Sequence, residues 1–303
     1  MRALFLSALL LLGGCSPLKT FNLLTPKDGG SARIVRDAAF AAGERGRLDV
    51  YAPRGTAAEA KLPVIIFFYG GSWREGDKDG YEFAGRALAA QGFIVVIPDY
   101  RLVPEVRFPG FLEDGAAAVR WVRANIAAHG GDPDRIVLAG HSAGAYNAAM
   151  LSLDPRWLGA DKAAVRGFAG IAGPYDFLPL DTEVTKATFG GSADLAATQP
   201  VNFASADDPP ALLLAAARDD LVLASNSVAL AMALGKAGVP VETRVYEDVG
   251  HVGIVAALSR LLRGKAPVVR DVAEFARRVS VMPAKAGIPG PDRTDEGIAP
   301  SSS

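Results

Sequence analysis

The chain has 303 residues, 50% of them apolar, and a formal net charge of −1. That is enough apolar material for one large core, and length alone leaves room for two domains. A balance so close to neutral gives no sign of nucleic acid or of any polyanionic partner. Three histidines and one cysteine are too few and too scattered for a metal-ligand cluster, and no organic cofactor is implied.

Met1 and Arg2 give a positive start, and Ala3 to Leu12 is an apolar run that ends at Leu12, Gly13, Gly14 and Cys15. A run so short cannot cross about 30 Å of hydrocarbon as a helix, so residues 1–14 are expected to be a signal peptide rather than an anchor. Leu12 to Cys15 resembles the bacterial lipobox, in which cleavage falls before a cysteine that becomes lipid-modified. Cys15 is the only cysteine, and lipidation accounts for an otherwise unpaired thiol in an exported protein. The expectation is membrane association through lipidated Cys15 in a bacterial cell envelope; the alternative is a secreted protein with a coincidental cysteine. Residues 15–30, rich in Pro, Gly, Lys and Thr, are expected as a flexible tether.

Residues 31–281 carry the pattern of one α/β domain. Arg33 to Phe40 and Leu48 to Tyr51 predict short antiparallel strands joined through Gly43 and Gly46. Leu62 to Tyr69 is apolar without alternation, the mark of a strand buried on both faces. Tyr81 to Gln91 has Phe83, Ala84, Ala87 and Leu88 at helical spacing, and Gly92 to Ile97 is the next buried strand. Phe111 to Ala128 predicts a helix with Ala117, Trp121, Val122 and Ile126 on one stripe. Arg135 to Ala139 is a strand and Ala145 to Leu151 a helix. Val165 to Ile171 is a weaker strand, and Pro174 to Ala206 an irregular excursion of the kind that forms a lid or pocket wall. Ala211 to Ala216 and Val241 to Tyr246 predict strands around a helix from Ser225 to Gly238. His251 to Leu262 and Val268 to Val281 close the domain as helices. Alternating strands and helices imply a mostly parallel central sheet with helices on both faces. Residues 282–303 have no apolar periodicity and are expected to be disordered.

Between the strand at Arg135 and the helix at Ala145 lies Gly140-His141-Ser142-Ala143-Gly144. Strand, G-x-S-x-G and helix form the context of a nucleophile elbow. Such a serine sits in strained backbone that glycine neighbours relieve, above a helix end whose free N–H groups suit a developing oxyanion. A serine hydroxyl needs a base held by an acid. His141 adjoins Ser142 and is expected to point away as a packing residue; His129 is expected to cap the preceding helix. His251 follows a strand and opens a helix, where open α/β sheets place ligands, and is the expected base. The acid is expected after the preceding strand, at Asp219 or Asp220; Asp207, Asp208 and Asp248 have the look of capping residues. Gly70 and Gly71, directly after a core strand, and Ala143 after the serine are the expected oxyanion-hole donors.

Tyr69 to Trp73, Pro98 to Leu102, Gly130 to Arg135, Gly140 to Gly144, Arg218 to Val222 and Val249 to His251 together resemble the α/β-hydrolase superfamily. The resemblance is to its esterase and lipase branch with an HGG-type oxyanion motif, which includes carboxylesterases, feruloyl-esterase-like enzymes and kynurenine formamidases. It covers Leu48 to Leu262 and implies a triad of Ser142, Asp219 and His251. Asp219 is preferred because the valine usual three residues after the acid corresponds to Val222. Gly70, Gly71 and Ala143 are the implied donors. Where the family has a loop-bracing histidine, this chain has Tyr69. Trp73 and Tyr100 are candidates for a substrate pocket or, equally, for core packing.

The resulting expectation is a lipid-anchored serine hydrolase acting on small-molecule esters of short to medium acyl length. The same residues would serve a formamidase, and an inactive scaffold that binds ligands at the cell surface is the rival of another class. A true interfacial lipase would need a more apolar lid than Asp181 to Ser205 offers.

Overall fold

The apolar runs at 62–69, 92–97, 135–139 and 211–216 become the middle of one eight-stranded sheet. In this computed structural model, which describes residues 17–282, the strands are β1 (Ser31–Ala39), β2 (Arg47–Pro53), β3 (Leu62–Phe68), β4 (Ile94–Pro98), β5 (Gly131–His141), β6 (Val165–Ile171), β7 (Ala211–Ala216) and β8 (Val241–Tyr246). Their order is β1-β2-β4-β3-β5-β6-β7-β8. Only β2 runs against the others, pairing antiparallel with β1 and β4; every pair from β4 to β8 is parallel. Val64 to Phe68 in β3 and Leu212 to Leu214 in β7 are buried. Each such side chain contributes about 1.5–3 kcal/mol before the entropy of ordering it is subtracted. The outer strand β8 does not follow the alternation of its sequence: Thr243, Arg244 and Val245 are all exposed, and only its ends are half-buried.

The helices are α1 (Pro17–Leu24), α2 (Glu82–Ala89), α3 (Gly110–Asn125), α4 (Ala143–Leu153), α5 (Pro155–Leu158), α6 (Glu183–Phe189), α7 (Ser225–Lys236), α8 (His251–Ala256) and α9 (Val268–Ser280). Consecutive residues of β3 point to opposite faces, and each meets a different helix layer. Phe67 lies against Tyr81, just before α2, with ring centroids 5.9 Å apart, and α2 packs beside α9. Phe68 lies under α3, where a Cβ added at Gly115 would come within 3.4 Å of its ring, and α3 packs beside α4. The sheet therefore has helices on both faces. No described helix is long and apolar enough to cross a membrane.

Three expectations need correction. From Pro17 onward the supposed tether is structured: Asn22 donates through Nδ2 to Asp79 O at 2.8 Å and accepts Phe83 N–H at 3.0 Å, while Phe21 meets Phe83 edge to face at 5.3 Å. The Asn22 side chain thus satisfies one of the unpaired N–H groups that open α2. The buried stripe of α3 runs through Phe111, Leu112, Ala118, Val119 and Val122; Ala117 and Trp121 sit on its half-exposed shoulder. The helix beginning at His251 ends at Ala256 and turns follow it. The expected signal peptide (1–14), Cys15 and residues 283–303 of the tail lie outside the described residues.

Candidate active site

β3, β5, β7 and β8 all end at the same sheet edge, and the loops that leave them converge. β5 runs to His141, in register with Phe68 of β3 through Gly140 and with Ile171 of β6. Ser142 then breaks the strand at φ 54°, ψ −123°, a region that costs a non-glycine residue on the order of 1–3 kcal/mol. The turn is held by Ser142 N–H donating to Ile171 O at 2.9 Å and by Ser142 O accepting from Ala145 and Tyr146. The flanking glycines have a measurable reason: a Cβ at Gly140 would stand 2.2 Å from Gly144 O, and one at Gly144 2.1 Å from Phe68 O. No other side chain fits this strand-to-helix bend.

Ser142 Oγ lies 2.8 Å from His251 Nε2, and His251 Nδ1 lies 2.7 Å from Asp219 Oδ2. Asp219 is fixed independently of the histidine, since its Oδ1 accepts Leu221 N–H at 3.0 Å and Val222 N–H at 2.8 Å. This turn leaves Oδ2 alone to face the imidazole, so Nδ1 carries the proton and Nε2 presents a lone pair to the serine. The adjacent Asp220 is exposed and outside this chain of bonds. Asp248, expected only as a loop cap, pairs with Arg218 at 2.7 Å. Together with Arg218 N–H on Val249 O at 3.2 Å, it ties the loop of the acid to the loop of the base. Asp208 is buried in a pair with Lys162 at 2.7 Å. Asp207 is exposed.

The glycine loop differs from expectation. Gly70 N–H donates to Tyr81 Oη at 3.0 Å and is not available to a substrate. The N–H groups of Gly71, Ser72 and Ala143 have no acceptor within the described residues. Ser72, which sequence reasoning missed, is held at φ 53°; its only signal was its place directly after the glycine pair. Tyr69, in the place of the family's histidine, is buried and braces this loop: its Oη accepts from Arg45 Nη1 at 3.1 Å and from Tyr100 N–H at 3.3 Å. Burial raises its phenol well above the ordinary range, followed in effect by the charge of Asp99.

Tyr100 is not a pocket wall. It is completely buried, stacked on Tyr69 at 4.5 Å, and donates through its Oη to Tyr69 O at 2.8 Å. Trp73 is buried too. Its Nε1 donates to Asn147 Oδ1 at 3.2 Å, and its ring meets Tyr146 and Phe189 edge to face at 5.3 and 4.9 Å. Phe189 belongs to α6, inside the excursion of 174–206, which is clamped to the body: Asn226 Oδ1 accepts Tyr175 and Asp176 N–H at 2.8 and 2.9 Å.

The other two histidines part company. His129 precedes β5 and so lies at the opposite sheet edge, stacked on Trp121 at 6.3 Å; Gly130, at φ 81°, caps the turn there, and not the histidine side chain. His141 points inward to the site rather than away from it. Its Nε2 is 3.1 Å from His251 O and its ring 4.8 Å from the His251 ring. Burial, and secondarily the neighbouring His251, pushes its ionisation down to about 3, so it is neutral in the fold.

A family model described as BD-FAE matches residues 48–234. The esterase LipI of Mycobacterium tuberculosis is 32% identical over 235 residues, which is 69% of this chain and 72% of that protein. A probable isoprenylcysteine alpha-carbonyl methylesterase of Oryza sativa subsp. japonica is 35% identical over 158 residues, 50% of this chain and 37% of that one. The chain spans only about a third of the length of the first curated relatives it matches, 37% and 29%. Among solved structures, a truncated carbohydrate esterase from gut microbiota superposes with a TM-score of 0.73 at 20% identity, covering 85% of this chain and 100% of that one. That likeness shows the fold alone. A hyperthermophilic esterase from Pyrobaculum calidifontis gives a TM-score of 0.68 at 25% identity, over 88% of this chain and 92% of that one.

Proposed function

This chain belongs to the BD-FAE family, in the esterase and lipase branch of the α/β-hydrolases, and we propose that it is a carboxylesterase working through an acyl-enzyme on Ser142. The observation that carries the reading is the unbroken chain from Ser142 Oγ through His251 to Asp219 Oδ2, at 2.8 and 2.7 Å. In this reading Ser142 Oγ attacks the ester carbonyl as His251 Nε2 takes its proton. Asp219 holds the Nδ1 proton and stabilises the imidazolium. The tetrahedral oxygen is received by the N–H groups of Ala143 and Gly71, with Ser72 as a further donor; each such donor is worth about a hundredfold or more in rate. His251 returns the proton to the leaving alcohol. It then activates a water that releases the acid and regenerates Ser142.

The substrate would be a small ester of short to medium acyl length. Beside the loop, Trp73, Tyr146 and Phe189 are buried in edge-to-face contact with one another, which supports the short end of that range. Nitrophenyl esters of increasing chain length, assayed beside N-formylkynurenine, test this: fastest turnover is expected on a short ester, and faster turnover of the formamide would replace the esterase by a formamidase. Export and lipidation at Cys15 belong to the same proposal. Cys15→Ser should move the protein from the membrane to the soluble fraction, and continued membrane association would count against the anchor.

A further inference from the structure

We propose that Tyr81 and His141 form a buried relay that ties the oxyanion loop to the catalytic base, and that both are positioning residues for the reaction. The inference rests on the esterase reading above.

The relay has four members and a single direction. Gly70 N–H donates to Tyr81 Oη at 3.0 Å. Accepting that bond leaves the Tyr81 hydroxyl proton free to donate, and the acceptor in reach is His141 Nδ1 at 3.4 Å. A neutral imidazole that accepts at Nδ1 carries its proton on Nε2. That nitrogen lies 3.1 Å from the carbonyl oxygen of His251, where a lone pair would be repelled and an N–H is needed. The tautomer is thereby assigned by its two neighbours. Gly70, Tyr81 and His141 are all buried, so water cannot substitute for these bonds, and each lost partner would leave an unsatisfied buried group.

Packing alone does not require this arrangement. A leucine or phenylalanine would fill the space of His141, yet the residue present offers an acceptor to one loop and a donor to the other. The Tyr81 ring is fixed by Phe67, Tyr69 and Phe83, with centroids 5.8–5.9 Å away, so its hydroxyl is a rigid reference point. The glycine loop hangs on one side of that point. The backbone of the base hangs, through His141, on the other. The relay therefore sets the distance between the place where negative charge would develop and the imidazole that would carry the positive charge. Neutrality of His141 serves the same end, since a second cation 4.8 Å from His251 would oppose protonation of the base.

A double-mutant cycle on a short nitrophenyl ester tests the relay, using Tyr81→Phe, His141→Phe and the pair, with His141→Gln as the conservative replacement. Each single change should lower kcat by about tenfold at nearly constant KM, the effect of a small misplacement of reacting groups. The double variant should be about as slow as the slower single one, because either change already cuts the relay. Gln, whose amide can accept from Tyr81 and donate to the His251 carbonyl, should recover most of the loss. The relay is overturned if the two losses multiply, if Gln is no better than Phe, or if Tyr81→Phe, which removes one oxygen from a clamped ring, leaves kcat unchanged. A wild-type protein that cleaves no ester would instead sink the esterase reading, which separates the two failures.

Discussion

Replacing His141 with glutamine should make the protein markedly less sensitive to acid. In the fold, burial first and the nearby His251 second push the His141 ionisation from 6.5 to about 3, while in the unfolded chain the ordinary value returns. The folded value is the lower one, so the contribution of His141 is fully present above its unfolded pKa and is withdrawn as pH falls from about 6.5 towards 3. Between pH 7 and pH 5 the unfolded chain takes up nearly one proton that the fold refuses, which costs about 2 kcal/mol of stability. The other strongly shifted acid acts in the opposite sense. Burial pushes the Asp99 carboxyl up to about 6, so the fold binds its proton first and gains about 1 kcal/mol over the same interval. Asp99 is present in both proteins, however, and cancels in their difference. Urea unfolding of the wild type and of His141→Gln at pH 7 and pH 5 measures the effect. The wild type should lose about 2 kcal/mol more than the variant between the two pH values. Equal losses would refute the reasoning, because they would mean that His141 titrates in the fold as it does in water.

Asp219→Asn should cut kcat by about a thousandfold or more, because an amide in that turn no longer fixes the histidine tautomer or balances the imidazolium; Asp220→Asn should stay close to the wild type. The reverse ranking, in parallel kinetics of the two variants, would move the acid by one residue. Gly70→Ala should abolish activity and lower stability by about 1–3 kcal/mol through overpacking, since the new methyl would stand 2.8 Å from His141 Nδ1 and 3.0 Å from Ser142 Cβ. Activity assays and thermal unfolding check it, and an active, stable alanine variant would mean that the loop sits farther from the serine than 3.0 Å implies.

Much of the architecture was legible because burial leaves a strong trace in one dimension. β3, β4 and β7 are apolar without alternation, as strands covered on both faces must be; the alternation in the β8 sequence left no such trace, since Thr243 and Val245 are exposed. The elbow was legible because its two glycines are demanded by the backbone itself. What escaped the sequence depends on distances between remote segments. Asn22 caps α2 from 61 residues away, which no local composition signals, so α1 has the composition of a tether. The direction of the Gly70 amide is set by Tyr81, and the inward turn of His141 by the carbonyl of His251. Tyr81 gave no sign beyond opening a helix. Tyr100 could line a pocket or pack in the core from sequence alone; its stacking on Tyr69 decides for the core.

A Ser142 activated by His251 should react as a nucleophile. Treatment of the folded protein with a fluorophosphonate, followed by digestion and mass spectrometry, addresses this directly. A single adduct on the peptide that contains Ser142, absent from Ser142→Ala, is the expected result. A folded protein that takes up no label, or carries it on a different serine, would contradict it.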